Sequence, residues 1–167
     1  MIVLVNDASI LIDLLKADLI EPFFQLDCEF HVTDFVAGEV QEENADQLEA
    51  FVQGGKLIKK TFEFEALIKI QRLETAYKAL SIADCSCLCL AKQLAATLLT
   101  GDAVLRRIAE QNEIQVHGLL WVFDELVKNR RISHKIASEK LSYGLSINSR
   151  LPVAECNKRI AKWNKGK

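Results

Sequence analysis

Proline and glycine are scarce, 2 and 7 residues in a chain of 167. With no serine-rich or single-residue tract either, nothing in the sequence offers a flexible linker between domains. Half of the residues are hydrophobic, which at this length fills one sizeable core and not two independent ones. Long apolar runs are also missing. The longest, such as Gly118-Leu119-Leu120-Trp121-Val122-Phe123, fall far short of the roughly 20 residues that cross a bilayer. The apolar opening Met1-Ile2-Val3-Leu4-Val5 lacks a basic lead and is soon interrupted by Asp7, Asp13 and Lys16, unlike a secretory signal. A soluble, cytoplasmic protein without a membrane partner is expected. Cysteine occurs 5 times, an odd number, and Cys85, Cys87 and Cys89 stand too close in an apolar helical pattern to bridge one another. Reduced thiols fit that pattern.

A net charge of −2 conceals an asymmetry. From Met1 to Val127 there are 10 Lys+Arg and 21 Asp+Glu, net −11; from Lys128 to Lys167 there are 11 and 2, net +9. A basic C-terminal block suits a polyanion such as RNA or an acidic protein segment. Its other reading is a solvated surface balancing an acidic body.

Along the chain, apolar strand-like runs alternate with helical patterns. Ile2 to Val5 reads as a strand buried on both faces, followed by a helix carrying Ile10, Leu11, Leu14 and Leu15. A second strand, Glu29 to Thr33, precedes a helix that Asp34 can cap. Lys56 to Thr61 suits a third strand, and Glu63 to Ala79 has helical spacing. Ser81 opens a helix through Gln93, Ala95 to Leu99 reads as a buried strand, an amphipathic helix follows Asp102, and Ile114 to Val116 is the last strand. After His117 three helical patterns follow: Leu119 to Asn129, His134 to Leu145, and Pro152 to Trp163, with Pro152 in a first turn. This order predicts an α/β fold, a mostly parallel central sheet covered on both faces, with a C-terminal helical appendage. The expected division is a core over residues 1–118 and an extension over 119–167 packed on the same domain.

Four acids recur at the junctions of these units: Asp7, Glu39, Asp84 in Leu80-Ser81-Ile82-Ala83-Asp84, and Asp102 in Leu98-Leu99-Thr100-Gly101-Asp102. If the strands are parallel, strand ends and helix starts share one edge, where open α/β sheets bind ligands. Carboxylates crowded together repel, and a site that keeps several ionised normally holds a divalent cation. A metal-dependent phosphodiesterase is the expected chemistry. Each acid also has an ordinary reading: Asp7 and Asp102 as N-caps, Asp84 as the partner of Ser81 in a capping box, Glu39 as a solvent-facing residue.

The early Asp7 with Ser9 two residues on, Glu39 after the second strand, Asp84 opening a helix and the Thr100-Gly101-Asp102 turn together resemble the PIN-domain nucleases, and in style the prokaryotic VapC-like toxins. The likeness covers roughly Met1 to Gly118. It implies a three-layer α/β/α fold and Mg2+ or Mn2+ as cofactor, with Asp7, Glu39, Asp84 and Asp102 as the acidic set and Ser9 and Thr100 as supporting hydroxyls. It also implies single-stranded RNA as substrate, cut by metal-activated water to leave 5′-phosphate and 3′-hydroxyl ends. An antitoxin protein and a second copy of the chain, forming a homodimer, are the further partners considered for the basic block. Gly101 departs from the commonest versions, which often have a polar or acidic residue there. The rival reading is a PIN-like module that binds RNA or protein without cutting it.

Other constellations carry less. Arg106 and Arg107, one turn after Asp102, are candidate RNA-phosphate contacts or simply an exposed helix face. The three close cysteines lack the four converging ligands of structural zinc and read as core. His31, His117 and His134 share no spacing, and Trp121 and Trp163 sit in apolar patterns that suit packing. A phosphoacceptor receiver domain would need a Lys after the Ala95 to Leu99 strand, and none is there.

Overall fold

The computed structural model describes residues 1–165, without the side chains of residues 41–46. Gly166 and Lys167, the end of the basic block, lie outside the described residues. Five strands, β1 (Ile2–Asn6), β2 (Cys28–Thr33), β3 (Leu57–Lys60), β4 (Thr97–Leu99) and β5 (Val116–His117), form one sheet in the order β3-β2-β1-β4-β5. Every pairing is parallel. Val5 at the centre stands opposite His31 on one side and Leu98 on the other. Leu4, Val5, Leu98 and Leu99 are fully buried, as strands covered on both faces require.

Nine helices occur among the described residues: α1 (Ala8–Lys16), α2 (Ile20–Phe23), α3 (Asp34–Gln53), α4 (Phe64–Ala76), α5 (Ile82–Leu94), α6 (Ala103–Gln111), α7 (Leu119–Lys128), α8 (His134–Ile147) and α9 (Val153–Lys165). From β1 the chain builds outward through β2 and β3, then crosses by α4 and α5 to enter β4 beside β1. The reversal of direction between β1 and β4 is the switch point at which such sheets open a crevice.

Several boundaries differ from the sequence reading, each for a local reason. Thr33, not Asp34, caps α3, its hydroxyl accepting from the Val36 amide at 3.1 Å while Asp34 becomes the first helical residue. Strand β4 starts at Thr97 because Ala95, at φ 49°, is the left-handed C-cap of α5. Strand β5 starts at Val116 because Glu113 (φ 61°) turns the chain out of α6, with the Ile114 amide bonded back to Ala109. Helix α4 stops at Ala76, where Tyr77 leaves helical geometry and its carbonyl accepts from Leu80. Pro152 precedes α9, and its carbonyl accepts from the Cys156 amide. Helix α2 has no counterpart in the sequence reading. It delivers Phe23 and Phe24 onto Phe30 of β2, with ring centroids 4.8 and 5.0 Å apart.

The C-terminal helices lie against the rest of the chain. Helix α7 contacts α2 and β5, α8 contacts α7, and α9 contacts α8. Asn148 donates to Asp13 of α1 at 2.8 Å, and Lys140 stands 3.7 Å from Asp18. Arg159 of α9 grips Asp124 of α7 through Nε and Nη2 at 3.0 and 2.8 Å. Lys158 and Arg159 also pair with Glu155, so two of the more prominent cations of the basic block are engaged within it.

Candidate active site

The ends of β1 and β4 are knitted together by one carboxylate. Asp7 caps α1: its Oδ1 accepts from the Ala8 amide at 2.8 Å, and its Oδ2 accepts from the hydroxyls of Ser9 at 2.6 Å and Thr100 at 2.8 Å. Ser9 Oγ accepts in turn from the Gly101 amide at 2.9 Å, and Thr100 Oγ1 from the Asp102 amide at 3.0 Å. Asp7 is 4 % exposed and Thr100 fully buried, so these bonds operate where they are not diluted by water. A side chain at Gly101 would meet Ser9 only at ordinary contact distance; the glycine's use here is its amide.

Asp102 caps α6, its Oδ1 accepting from the Val104 and Leu105 amides at 2.8 Å each. Asp84 closes the capping box of α5: its Oδ2 accepts from the Ser81 amide at 2.8 Å while Ser81 Oγ accepts from the Asp84 amide at 3.1 Å. The ordinary readings of Asp7, Asp84 and Asp102 as capping residues therefore hold. Capping also fixes where these carboxylates stand, at helix starts that favour negative charge.

The three acids lie within reach of one another's charge. Burial above all pushes the Asp84 carboxyl up; its bonds with Ser81 pull it back, and the negative charges of Asp7 and Asp102 raise it further. Beneath them the fully buried Cys87 thiol is pushed well up, first by burial and then by Asp7, Asp84 and Glu39. Glu39, exposed on the second turn of α3, thus belongs to the same neighbourhood. Helix α3 is fixed to α5 by a buried 2.8 Å hydrogen bond between the Thr33 and Ser86 hydroxyls. Sequence reasoning missed Thr33 and Ser86; a hydroxyl residue three before Val36 is the cap pattern that marks Thr33.

Among the described residues no three His, Cys, Asp or Glu side chains converge to hold one ion. The chemistry of the donors still fits Mg2+ or Mn2+, which take hard oxygens, need only one or two carboxylates and keep several waters. Asp84 Oδ1 and Asp102 Oδ2 accept no hydrogen bond from the described residues and are the oxygens best placed in the chain's own bonding to act as such ligands.

Arg106 leans back on the strand end, its Nη2 donating to the Thr100 carbonyl at 3.3 Å and its Nη1 3.8 Å from Glu110. A Cβ at Gly118 would come within 2.9 Å of that guanidinium nitrogen, so the glycine makes room for it. Arg107 is exposed. His117 stacks on Trp121 with centroids 4.6 Å apart; burial and then Arg106 lower its pKa. Asn6, fully buried next to Asp7, donates to the His31 carbonyl at 2.9 Å, and its Oδ1 has no partner among the described residues. Cys85 and Cys87 are core, and Trp163 packs on Phe123.

A PIN-domain family model matches residues 3–165. The chain belongs to the PIN-domain family. The match runs to the end of α9, so the C-terminal helices are part of the family's pattern. No curated protein sequence matches the chain. Among solved structures, a chain of the structure of VapBC-1 from nontypeable Haemophilus influenzae is similar at 15 % identity with a TM-score of 0.51, over 71 % of this PIN domain and 99 % of that chain. At that identity the likeness is one of fold.

Proposed function

We propose that this PIN domain is a Mg2+- or Mn2+-dependent endoribonuclease acting on single-stranded RNA, and that it is the toxin of a toxin–antitoxin pair. The observation that carries the reading is the knot at the switch point, in which Ser9 and Thr100 hold Asp7 beside Asp84 and Asp102. In the reading, Asp7, Glu39, Asp84 and Asp102 bind the ion directly or through water, and Ser9 and Thr100 keep Asp7 oriented. Such an ion lowers the pKa of water and neutralises charge on a phosphoryl group. Arg106, beside the strand end, is assigned to the phosphate of the strand being cut, and Arg107 to a flanking one. The toxin assignment and an antitoxin partner rest on the resemblance to VapC-like proteins and on the VapBC-1 fold neighbour. A cytoplasmic location follows from the same reading.

A PIN-like binding module without cutting activity is the second reading, favoured by the helix-capping bonds in which Asp7, Asp84 and Asp102 are already engaged. Incubation of purified protein with unstructured RNA decides. Under the first reading, cleavage requires Mn2+ or Mg2+, stops with EDTA and is lost in Asp7→Asn and Asp84→Asn. Binding of RNA or of the neighbouring gene's product without cleavage supports the second, and cleavage that survives both substitutions rejects the site.

A further inference from the structure

A groove of about 1060 Å³ lies between α4, the later turns of α5 and the segment after β3. Its volume lies at the upper end of the roughly 300–1,000 Å³ of small-molecule pockets. Residues 1–127 hold 10 Lys+Arg against 21 Asp+Glu, yet four of those ten cations, Lys60, Lys69, Arg72 and Lys92, line this one groove. None of the four has an ion-pair or hydrogen-bond partner among the described residues. Glu63 and Glu65 are the only acids on its walls among those residues. Interspersed with the cations is Phe64, 76 % exposed, a large ring that stacks on no other ring among the described residues.

One end of the groove lies toward the acidic site, although none of Asp7, Glu39, Asp84 and Asp102 lines it. Lys60 pairs with Thr33 at the carboxyl ends of β3 and β2, the edge where Asp7 and Asp102 stand, and Phe62 stacks on Phe35 in the first turn of α3. On α5, Asp84, Leu88 and Lys92 are four residues apart and share a face, so the wall of the groove begins one turn beyond Asp84.

We infer that this groove is the track for single-stranded RNA flanking the scissile phosphate, with Lys60, Lys69, Arg72 and Lys92 contacting backbone phosphates and Phe64 stacking on a base. Unpaired cations of one sign in an otherwise acidic body match a polyanion, and an exposed ring among them is the stacking platform that unpaired bases use. The assignment rests on the ribonuclease reading for the identity of the polyanion.

Its test is binding of a labelled oligouridine of about 12 nucleotides in EDTA, as a function of salt. With Lys60, Lys69, Arg72 and Lys92 all replaced by Ala, affinity falls and the log–log salt slope becomes shallower by about 3, since about 0.7 of a counterion is released per phosphate contact on a single strand. Phe64→Ala weakens binding on the order of tenfold, while the charge-preserving Lys69→Arg/Arg72→Lys pair keeps the wild-type slope. An unchanged slope in the fourfold variant, with its melting temperature maintained, overturns the proposal. So does displacement of oligouridine by poly-L-glutamate as effectively as by unlabelled oligouridine, which would assign the groove to an acidic protein segment. If wild-type protein fails to cut RNA with Mn2+ while binding stays groove-dependent, the ribonuclease reading falls and the track stands. If the fourfold variant cuts and binds like wild type, the reverse holds.

Discussion

Thr100→Val tests the knot at its least replaceable point. Valine matches threonine in shape but removes a hydroxyl that donates to Asp7 Oδ2 at 2.8 Å and accepts from the Asp102 amide at 3.0 Å. Loss of a hydrogen bond to a charged group costs about 1.5–3 kcal/mol, and the stranded amide adds about 1 kcal/mol where water reaches it in part. Together about 3 kcal/mol of stability should disappear, lowering Tm by about 6–12 °C for a chain of this size. Thr100→Ser keeps both bonds and loses one buried methyl, about 1 kcal/mol. Urea denaturation followed by circular dichroism at neutral pH measures both. In a cycle with Ser9→Ala, the two substitutions should be non-additive, because both hydroxyls serve the same oxygen. A valine variant as stable as the serine variant would refute the argument that this carboxylate is held in place by Thr100.

Asp124→Ala and Arg159→Met should each destabilise the protein by about 1 kcal/mol, and the double variant by less than their sum, since the forked pair joins α7 to α9; additive losses would show that the pair contributes nothing. Ala95→Gly should stabilise by about 0.5–1 kcal/mol, because alanine at φ 49° carries a left-handed strain that glycine lacks; a loss of stability would contradict the cap geometry. Burial raises the Asp13 carboxyl, so its contribution is most favourable below the unfolded pKa and is lost as pH rises through the folded one. Asp13→Asn should accordingly gain stability at pH 7 relative to wild type and lose that advantage in acid, as denaturation midpoints at the two pH values would show.

The strands and most helices were legible because their patterns are local. A continuous apolar run marks β1, and Ser81 three residues before Asp84 marks the start of α5. Helix α2 was hidden because four residues with a proline at Pro22 carry no periodicity. Adjacent Thr33 and Asp34 both suit a cap, and only the packing of Thr33 against Ser86 decides between them. The ends of α5 and α6 were blurred because Ala95 and Glu113 adopt the left-handed turn without the glycine that advertises it. At the site, the four acids were visible as residues at junctions, but the bonds from Ser9 and Thr100 to one Asp7 oxygen join positions 93 residues apart in the case of Thr100. The groove and the Asp124–Arg159 pair are likewise products of distant segments meeting, which no local pattern encodes.

Helix α4, one wall of the groove, buries only Ile70 among its 13 residues, whereas α5 beside it buries seven of 13. Little apolar contact opposes its detachment, so α4 should open by itself far more often than the whole domain unfolds. Its amides would then exchange with deuterium at rates set by this local event and stay insensitive to low urea, while those of α5 follow global unfolding. Whatever occupies the groove would slow exchange in α4 first, leaving α5 nearly unchanged.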